Sequence, residues 1–581
     1  MASLYRKVIN GKPYYYLREM ARVDGKPKMV SERYLGSVDD IVAALDAAQA
    51  ATMPQRTAHL AFGDVAAVWS LLVELDVAAV IDEVVGARRS DAGASVGTYL
   101  ALAALGRLVA PGSKSAFADW WATTAADRFT RISPKVLDHR KFWDAMHLVD
   151  GEALQEISAR LAARMIAVFD LDTSSVALDM TNFATYIDTT NGRAPIAQRG
   201  KAKQKRTDLR LVGLGLVVTR SGGIPLVWHA YPGNRPDVTQ FPTLIDHLAA
   251  RFTDLTGTTP AGTTADPDTD AAGASMTVVF DAGQNSAANF EHLAAAGLHY
   301  VGSVPPSDCP DLLALPASRR RPVDRTRFPG LTAIDTHRDV YGRRRRVVLT
   351  HSQNLHDDQA RSFTDTTLGK VGRHLDDLAA TLARGRTRRT HAQVTAEITT
   401  ITHDPWVREV IDYQLTGDTP ADHRLTWTIN PTKREALETR MFGKRVLITD
   451  HDDDWSVADV VGGYRSQSEI EFGFRQLKDP HEVSFSPMYH WTDHNIAVHT
   501  FTCVLALQLA HLLRLKARRA GHDLSVKALL NTLSGIQETV LIYPSTGGRP
   551  KARRITTDTT ADQQALHELF DLHRWAPAAT T

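Results

Sequence analysis

Four short apolar runs, each closed by a turn or a polar residue, constrain this chain more than any other feature. Val176-Ala177-Leu178 runs into Asp179. Residues 211–218 form a second run, and the hairpin signal Ser221-Gly222-Gly223 leads to a third over 224–229. Thr277-Val278-Val279-Phe280 runs into Asp281. Helical spacing is predicted over 238–248 and 286–295, and Tyr300-Val301-Gly302 begins another strand. The order β-β-β-α-β-α-β defines an α/β fold with a mixed sheet: antiparallel strands first, then parallel-type strands separated by helices. Carboxylates at the C-terminal ends of such strands sit at the edge where α/β sheets bind ligands, which makes Asp179 and Asp281 candidates. Each alone is also an ordinary turn or helix-start residue.

The 581 residues exceed one such sheet, so further domains are expected. Residues 1–50 read as a small basic β-rich region, with Asn10-Gly11 and Asp24-Gly25 as turns. It serves as a cap or as a DNA-contacting arm. Residues 57–170 read as a helical domain with a possible DNA-binding role. Residues 171–304 carry the first part of the mixed sheet. Residues 305–450, rich in Pro and in arginine runs, read as a partly β insertion domain. Residues 451–520 hold the second part of the core, and 521–581 a C-terminal helical region and tail with helix over 525–541. Residues 255–275 are rich in Thr, Gly, Ala, Asp and Pro and read as a tolerant loop.

Composition excludes several classes. Hydrophobic residues are 43% and charged residues 23%, as in globular proteins, and the net charge is +1. Bulk charge therefore does not announce a nucleic-acid binder; local clusters must. Cys309 and Cys503 lie far apart, against a disulfide scaffold and in favour of a reducing compartment. No secretory signal is read at the N-terminus. The apolar stretch 496–515 contains His499, Gln508, His511 and Arg514, so a buried helix is expected and no membrane partner. His490 and His494 lack the Glu of a zinc-protease helix, Gly213-Leu214-Gly215 lacks a nucleotide fingerprint, and no phosphate-cradling P-loop is present.

A third carboxylate comes from 464–478. Tyr464, Gln467, Glu471 and Lys478 fall on one face at helical spacing, beside the apolar stripe Ile470, Phe474 and Leu477. Glu469 points to nearly the opposite side, which favours Glu471. Ser456 is a plausible N-cap, and Gly462-Gly463 a possible break. A solvated face with ordinary ion pairs is the plain alternative.

This pattern resembles the Y-x2-R-x3-E-x6-K signature of bacterial insertion-sequence transposases of the DDE type. Tyr464, Glu471 and Lys478 match, and Gln467 stands where Arg is usual. The stretches 209–218, Gly222-Gly223-Ile224-Pro225-Leu226, Tyr231-Pro232-Gly233-Asn234-Arg235-Pro236-Asp237, Phe280-Asp281-Ala282-Gly283 and Met488-Tyr489-His490-Trp491-Thr492 look similar to other family blocks, so the resemblance covers roughly 170–515. It implies a ribonuclease-H-like core with Asp179, Asp281 and Glu471 as catalytic and metal-binding residues for two Mg²⁺ (or Mn²⁺) ions. It implies a transposase that binds terminal inverted repeats, cleaves the ends and joins them to target DNA. Double-stranded DNA and a synaptic homodimer are the expected partners, in the bacterial cytoplasm with the nucleoid. Tyr464, Gln467 and Lys478 would contact DNA. So would the basic run 193–210, with Arg199, Lys201, Lys203, Lys205 and Arg206, and with less weight the arginines of 319–346 and 384–389. A nuclease that cuts without joining, or a non-catalytic DNA-binding derivative, are the alternatives.

Overall fold

The computed structural model describes every residue except 1, 24, 87–92, 202–207, 252–275, 453, 545–550 and 579–581. The loop expected at 255–275 therefore lies outside the described residues. The chain divides into two compact units. One comprises 1–78, 88–145 and 513–581; the other comprises 79–87 and 146–512.

The first unit contains two small sheets. Strands β1 (Ala2–Ile9), β2 (Lys12–Val23) and β3 (Lys26–Gly36) form an antiparallel meander. Its first turn uses left-handed backbone at Asn10 and Gly11, with φ of 51° and 80°. Strand β4 (Arg56–Ala61) precedes the helices. It pairs with a strand far along the chain, which local periodicity cannot show. The helices Gly63–Glu74 and Val96–Val109 bury their apolar faces.

The second unit is built on a nine-stranded sheet. Its strands in chain order are β5 (Ser175–Thr185), β6 (Arg210–Thr219), β7 (Pro225–Pro232), β8 (Thr277–Val279), β9 (His299–Val304), β10 (Arg321–Pro322), β11 (Leu331–Val340), β12 (Arg343–Ser352) and β15 (Lys444–Thr449). The intervening β13 (Ile411–Thr416) and β14 (Arg424–Ile429) form a separate hairpin. The spatial order is β10-β11-β12-β15-β9-β8-β5-β6-β7. Strands β5, β8 and β9 are mutually parallel, and all other neighbours are antiparallel.

Both faces are covered, so the strands read as apolar runs rather than alternating ones. Val176, Leu178, Met180, Val278 and Phe280 pack in one cluster with Phe241, Leu244 and Ile245 of the helix Asp237–Ala250. Val279, Val301, Val348 and Leu447 pack on the other face with Val460 and Val461 of the helix Val457–Arg465. The two glycines of β6 admit neighbours. A Cβ on Gly213 would lie 2.2 Å from the Tyr231 ring, and one on Gly215 3.0 Å from Leu244.

The segment 305–450 is partly β, and its strands β11 and β12, together with β15, extend the main sheet. Val347 faces one core and Val348 the other, as a strand buried on both sides requires. The remaining inserted chain, between β12 and β15, is mostly helical, including Gln353–Ser362, Gly369–Ala383, His391–Ile401 and Pro431–Met441.

The C-terminal reading also changes. The helix Val526–Ser534 stops at Gly535, and residues expected to continue it form β16 (Gln537–Ile542). The run Thr539-Val540-Leu541-Ile542 is β-branched and apolar, which suits a strand. β16 pairs with β4 and with β17 (Ala552–Thr556).

The helix Asp493–Arg519 is long and apolar enough to cross a membrane by length and composition, yet 94% of its most apolar window is buried inside the protein. Several of its polar groups are bonded inside the protein: His499 bonds the Phe485 carbonyl, Gln508 donates to Pro225 O, and His511 bonds Gly223 O and Gln476.

Candidate functional site

Strand pairing fixes the two aspartates. In the parallel ladder Ala177 is opposite Val279. Two residues further on each strand are Asp179, within β5, and Asp281, just past β8. Side chains two apart on a strand share a face. Val279 belongs to the cluster under the helix Val457–Arg465, so Asp281 leaves the sheet on that side. Leu178 and Met180 belong to the opposite cluster, which turns Asp179 to the same side as Asp281.

Each carboxylate is held. Asp179 Oδ1 accepts from the Met180 amide at 2.7 Å and lies 3.5 Å from Gln284 Nε2. Asp281 Oδ1 accepts from Ser303 Oγ at 2.7 Å and from the Tyr464 hydroxyl at 3.1 Å. Asp179 is half-buried; Asp281 is exposed.

Glu471 is carried by the helix Gln467–Lys478, which buries Ile470, Phe474 and Leu477 as the stripe predicts. Two side chains on the polar face tie this helix to the strands. Gln467 Nε2 donates to Leu178 O at 3.2 Å and to Val279 O at 2.7 Å, one bond to each parallel strand. Lys478 Nζ meets Thr181 Oγ1 at 2.5 Å. Glu471 is four residues after Gln467 and seven before Lys478, so it projects from the same face, between the two anchors. It is exposed. Glu469 is turned elsewhere, its backbone and Cβ against Gly223 at 3.0–3.4 Å from that residue's Cβ position.

Three placements differ from the sequence reading. Tyr464 is not on the Glu471 helix. The helix Val457–Arg465 ends first and the chain redirects at Ser466, whose amide bonds Gly463 O. Gly462 and Gly463 lie inside the first helix and do not break it. A Cβ on Gly463 would meet the Trp455 ring at 3.0 Å, so this glycine admits the tryptophan. Ser456 caps that helix in a capping box with Asp459.

Gln467 is 7% exposed, and its amide nitrogen donates to two backbone carbonyls, which bridges the two parallel strands.

Arg210 leaves the basic run. It is buried and donates to the carbonyls of Asp188, Asn191, Ala194 and Ala197, folding the segment after β5. Arg345 and Arg346 are likewise buried, with Arg346 paired to Asp335. Arg199 and Lys201 are exposed, and Asn182 of β5 donates to Lys201 O at 3.1 Å. Lys203, Lys205 and Arg206 lie outside the described residues.

Sequence reasoning passed over Ser303, Gln284 and Thr181. Gln284 lies three residues after Asp281 in a short 3-10 turn, a spacing that offers a signal; Ser303 reaches the site only through strand pairing. A cavity of about 410 Å³ adjoins Asp281, lined among others by Ser303, Tyr464, Lys444, Arg445 and Trp406. Burial pushes the Tyr464 hydroxyl up to about 12, so it remains a protonated donor toward Asp281 at neutral pH.

No protein-family model matches the chain, and no curated protein matches it. Among solved structures, the piggyBac transposase in a synaptic complex with hairpin DNA is similar over 81% of this chain and 79% of the other, at 9% identity and a TM-score of 0.35. So distant a likeness adds nothing to what the residues themselves show.

Proposed function

We propose that this chain is a DDE-type DNA transposase with a ribonuclease-H-like core, acting through Asp179, Asp281 and Glu471. The observation that carries the reading is the register of the two aspartates, with Glu471 on a helix anchored across the same strands by Gln467 and Lys478. The order β7-β6-β5-β8-β9, with β5, β8 and β9 parallel, is the sheet such a core requires.

The donor set fits the metals this chemistry uses. Asp179, Asp281 and Glu471 would offer hard oxygen ligands suited to Mg²⁺ or Mn²⁺; among the described residues, the ligand atoms that already lie within 4.8 Å of one another are instead those of His299, Asp450 and His451. Both side-chain hydrogen bonds found on Asp281 fall on Oδ1. Two bound divalent cations would supply activation of a water or 3′-hydroxyl and stabilisation of the leaving 3′-oxygen. The chain's own residues do the rest. Ser303 and Tyr464 fix the rotation of Asp281, Gln284 approaches Asp179, and Gln467 holds the helix that presents Glu471. Lys478 sets a cation beside Thr181 for a phosphate, with Arg199 and Lys201 near β5 for the flanking backbone. The substrate would be the terminal inverted repeats of the element, and two ends imply a homodimer.

The test is cleavage of a labelled duplex carrying the element's own terminal repeat, with Mg²⁺ or Mn²⁺. Wild type should cut at the repeat boundary and join the 3′-ends to target DNA. Asp179→Ala, Asp281→Ala and Glu471→Ala should bind and not cut. If all four proteins bind and none cuts, the catalytic reading fails; cutting without joining leaves a nuclease.

A further inference from the structure

The N-terminal meander carries far more charge than its share. Residues 1–36 hold eight Lys or Arg and three acidic residues, a net +5, whereas the whole chain is +1 and the remainder therefore −4. The sheet is also open over much of its surface: every residue of β1 is exposed, as is β3 up to Tyr34, while β2 is half-buried from Pro13 to Arg18. Three-stranded sheets ordinarily need one covered apolar face to be stable, so a sheet left open on this scale has a surface to offer.

Register sorts that surface. Directly opposite residues share a face. Tyr5 is opposite Tyr16, Lys7 opposite Tyr14, and Ile9 opposite Lys12. Tyr16 is opposite Tyr34, Arg18 opposite Glu32, and Arg22 opposite Pro27. One face therefore displays Lys7, Lys12, Arg18 and Arg22 among four tyrosines, with Glu32 as its acid. Arg18 is used within the sheet, paired to Glu32 and lying over the Tyr5 ring at 3.4 Å. Lys7, Lys12 and Arg22 are exposed and, among the described residues, enter no ion pair.

We propose that this tyrosine and lysine face binds the sugar-phosphate backbone of duplex DNA. The rings decide between duplex and single strand. Tyr34 packs against Tyr14 and Tyr16 at centroid distances of 6.1 and 5.1 Å, and Arg18 covers Tyr5. These rings contact one another at tilted angles, or Arg18 in the case of Tyr5, rather than standing apart as a stacking platform, which a single strand would use. What remains outward is positive charge and phenol hydroxyl, the groups that contact phosphates. The choice of DNA over another polyanion rests on the transposase reading.

The experiment is fluorescence anisotropy of the full-length chain on a labelled 30-base-pair duplex of arbitrary sequence, titrated at several salt concentrations. The variants are Lys7→Gln/Lys12→Gln/Arg22→Gln and Tyr5→Phe/Tyr34→Phe, with circular dichroism to verify folding; the first removes charge and the second removes the hydroxyls, both at exposed positions. The triple variant should weaken binding at least tenfold and lower the slope of log affinity against log salt by about 2–3. The tyrosine pair should weaken binding several-fold with the slope unchanged. Folded variants with wild-type affinity and slope overturn the proposal. So does a loss confined to a labelled (dT)30 strand, which would assign the face to single-stranded DNA. Cleavage of the terminal-repeat duplex by wild type and Asp281→Asn is measured in parallel: if wild type never cleaves it yet the sheet variants lose duplex binding, the transposase reading fails while the sheet assignment stands.

Discussion

Asp179, within β5, and Asp281, just past the end of β8, each lie two residues beyond the opposed pair Ala177 and Val279 of two adjacent parallel strands. Neighbouring strands run about 4.8 Å apart, so the two carboxylates spring from backbone close enough to share cations. Asp179→Asn, Asp281→Asn and Glu471→Gln should each lower cleavage on the order of 10³-fold, since each removes a charged ligand worth several kcal/mol in the transition state. Mn²⁺ should raise the Tm of the wild-type chain, and this rise should shrink in each variant. A Tm insensitive to Mn²⁺ in wild type would count against a cation site.

Gln467 should matter for position rather than for DNA. Gln467→Ala removes both bonds to Leu178 O and Val279 O and leaves buried carbonyls without that donor. The expected loss is about 1–3 kcal/mol of stability, measured by urea denaturation. Cleavage should fall while duplex affinity stays at the wild-type value. Reduced affinity with intact stability would restore the DNA-contact role.

Tyr464→Phe deletes the hydroxyl that donates to Asp281 and keeps the ring. A hydrogen bond to a charged group is worth about 1.5–3 kcal/mol, so cleavage should drop ten- to a hundred-fold with little change in Tm. Because burial holds this phenol at about 12, no rate change from its ionisation should appear below pH 10. A wild-type pH-rate profile with a limb near pH 8 that Tyr464→Phe abolishes would contradict this.

Asp64, buried at the start of the helix Gly63–Glu74, is pushed up from 3.8 to about 6 by burial. Its folded form thus holds a proton that the unfolded chain releases above about pH 4. Stability falls as pH rises from about 4 to about 6 and stays lower above, by up to about 3 kcal/mol. Asp64→Asn should flatten that decline and raise Tm at pH 7, with no gain at pH 3.5. Equal pH dependence in both proteins would refute the burial argument.

Arg210→Ala should release the segment after β5. The guanidinium holds four carbonyls between Asp188 and Ala197, and about 3–5 kcal/mol is expected from leaving such a buried set unmet. Limited proteolysis should cut within 186–200 faster than in wild type.

Much of this arrangement was legible in local pattern. The apolar runs of β5, β6, β7 and β8 announced a mixed sheet because buried strands carry few polar positions. The stripe Ile470, Phe474 and Leu477 announced the helix. Other features were not local. The turn at Ser466 has neither Gly nor Pro to mark it, so Tyr464 and Glu471 read as one helix. The glycines at 462–463 looked like a break because only the fold shows the tryptophan that Gly463 accommodates. Arg345, Arg346 and Arg210 fell within runs read as DNA-contacting because an arginine satisfied by carbonyls has the same sequence as one facing a phosphate. Strand β4 could not be paired in advance with β16, since nearly the whole chain separates them.

The attachment of the inserted region to β9 through β15 also bears on any attempt to shorten this protein. A loop hung from two adjacent points can be excised and sealed. Here, removing 305–450 would strip β9 of its hydrogen-bonded neighbour and leave a long apolar strand open to the next molecule. Such a truncation should precipitate rather than yield a smaller folded protein. The insertion is therefore an obligate edge guard of the sheet on which both aspartates stand.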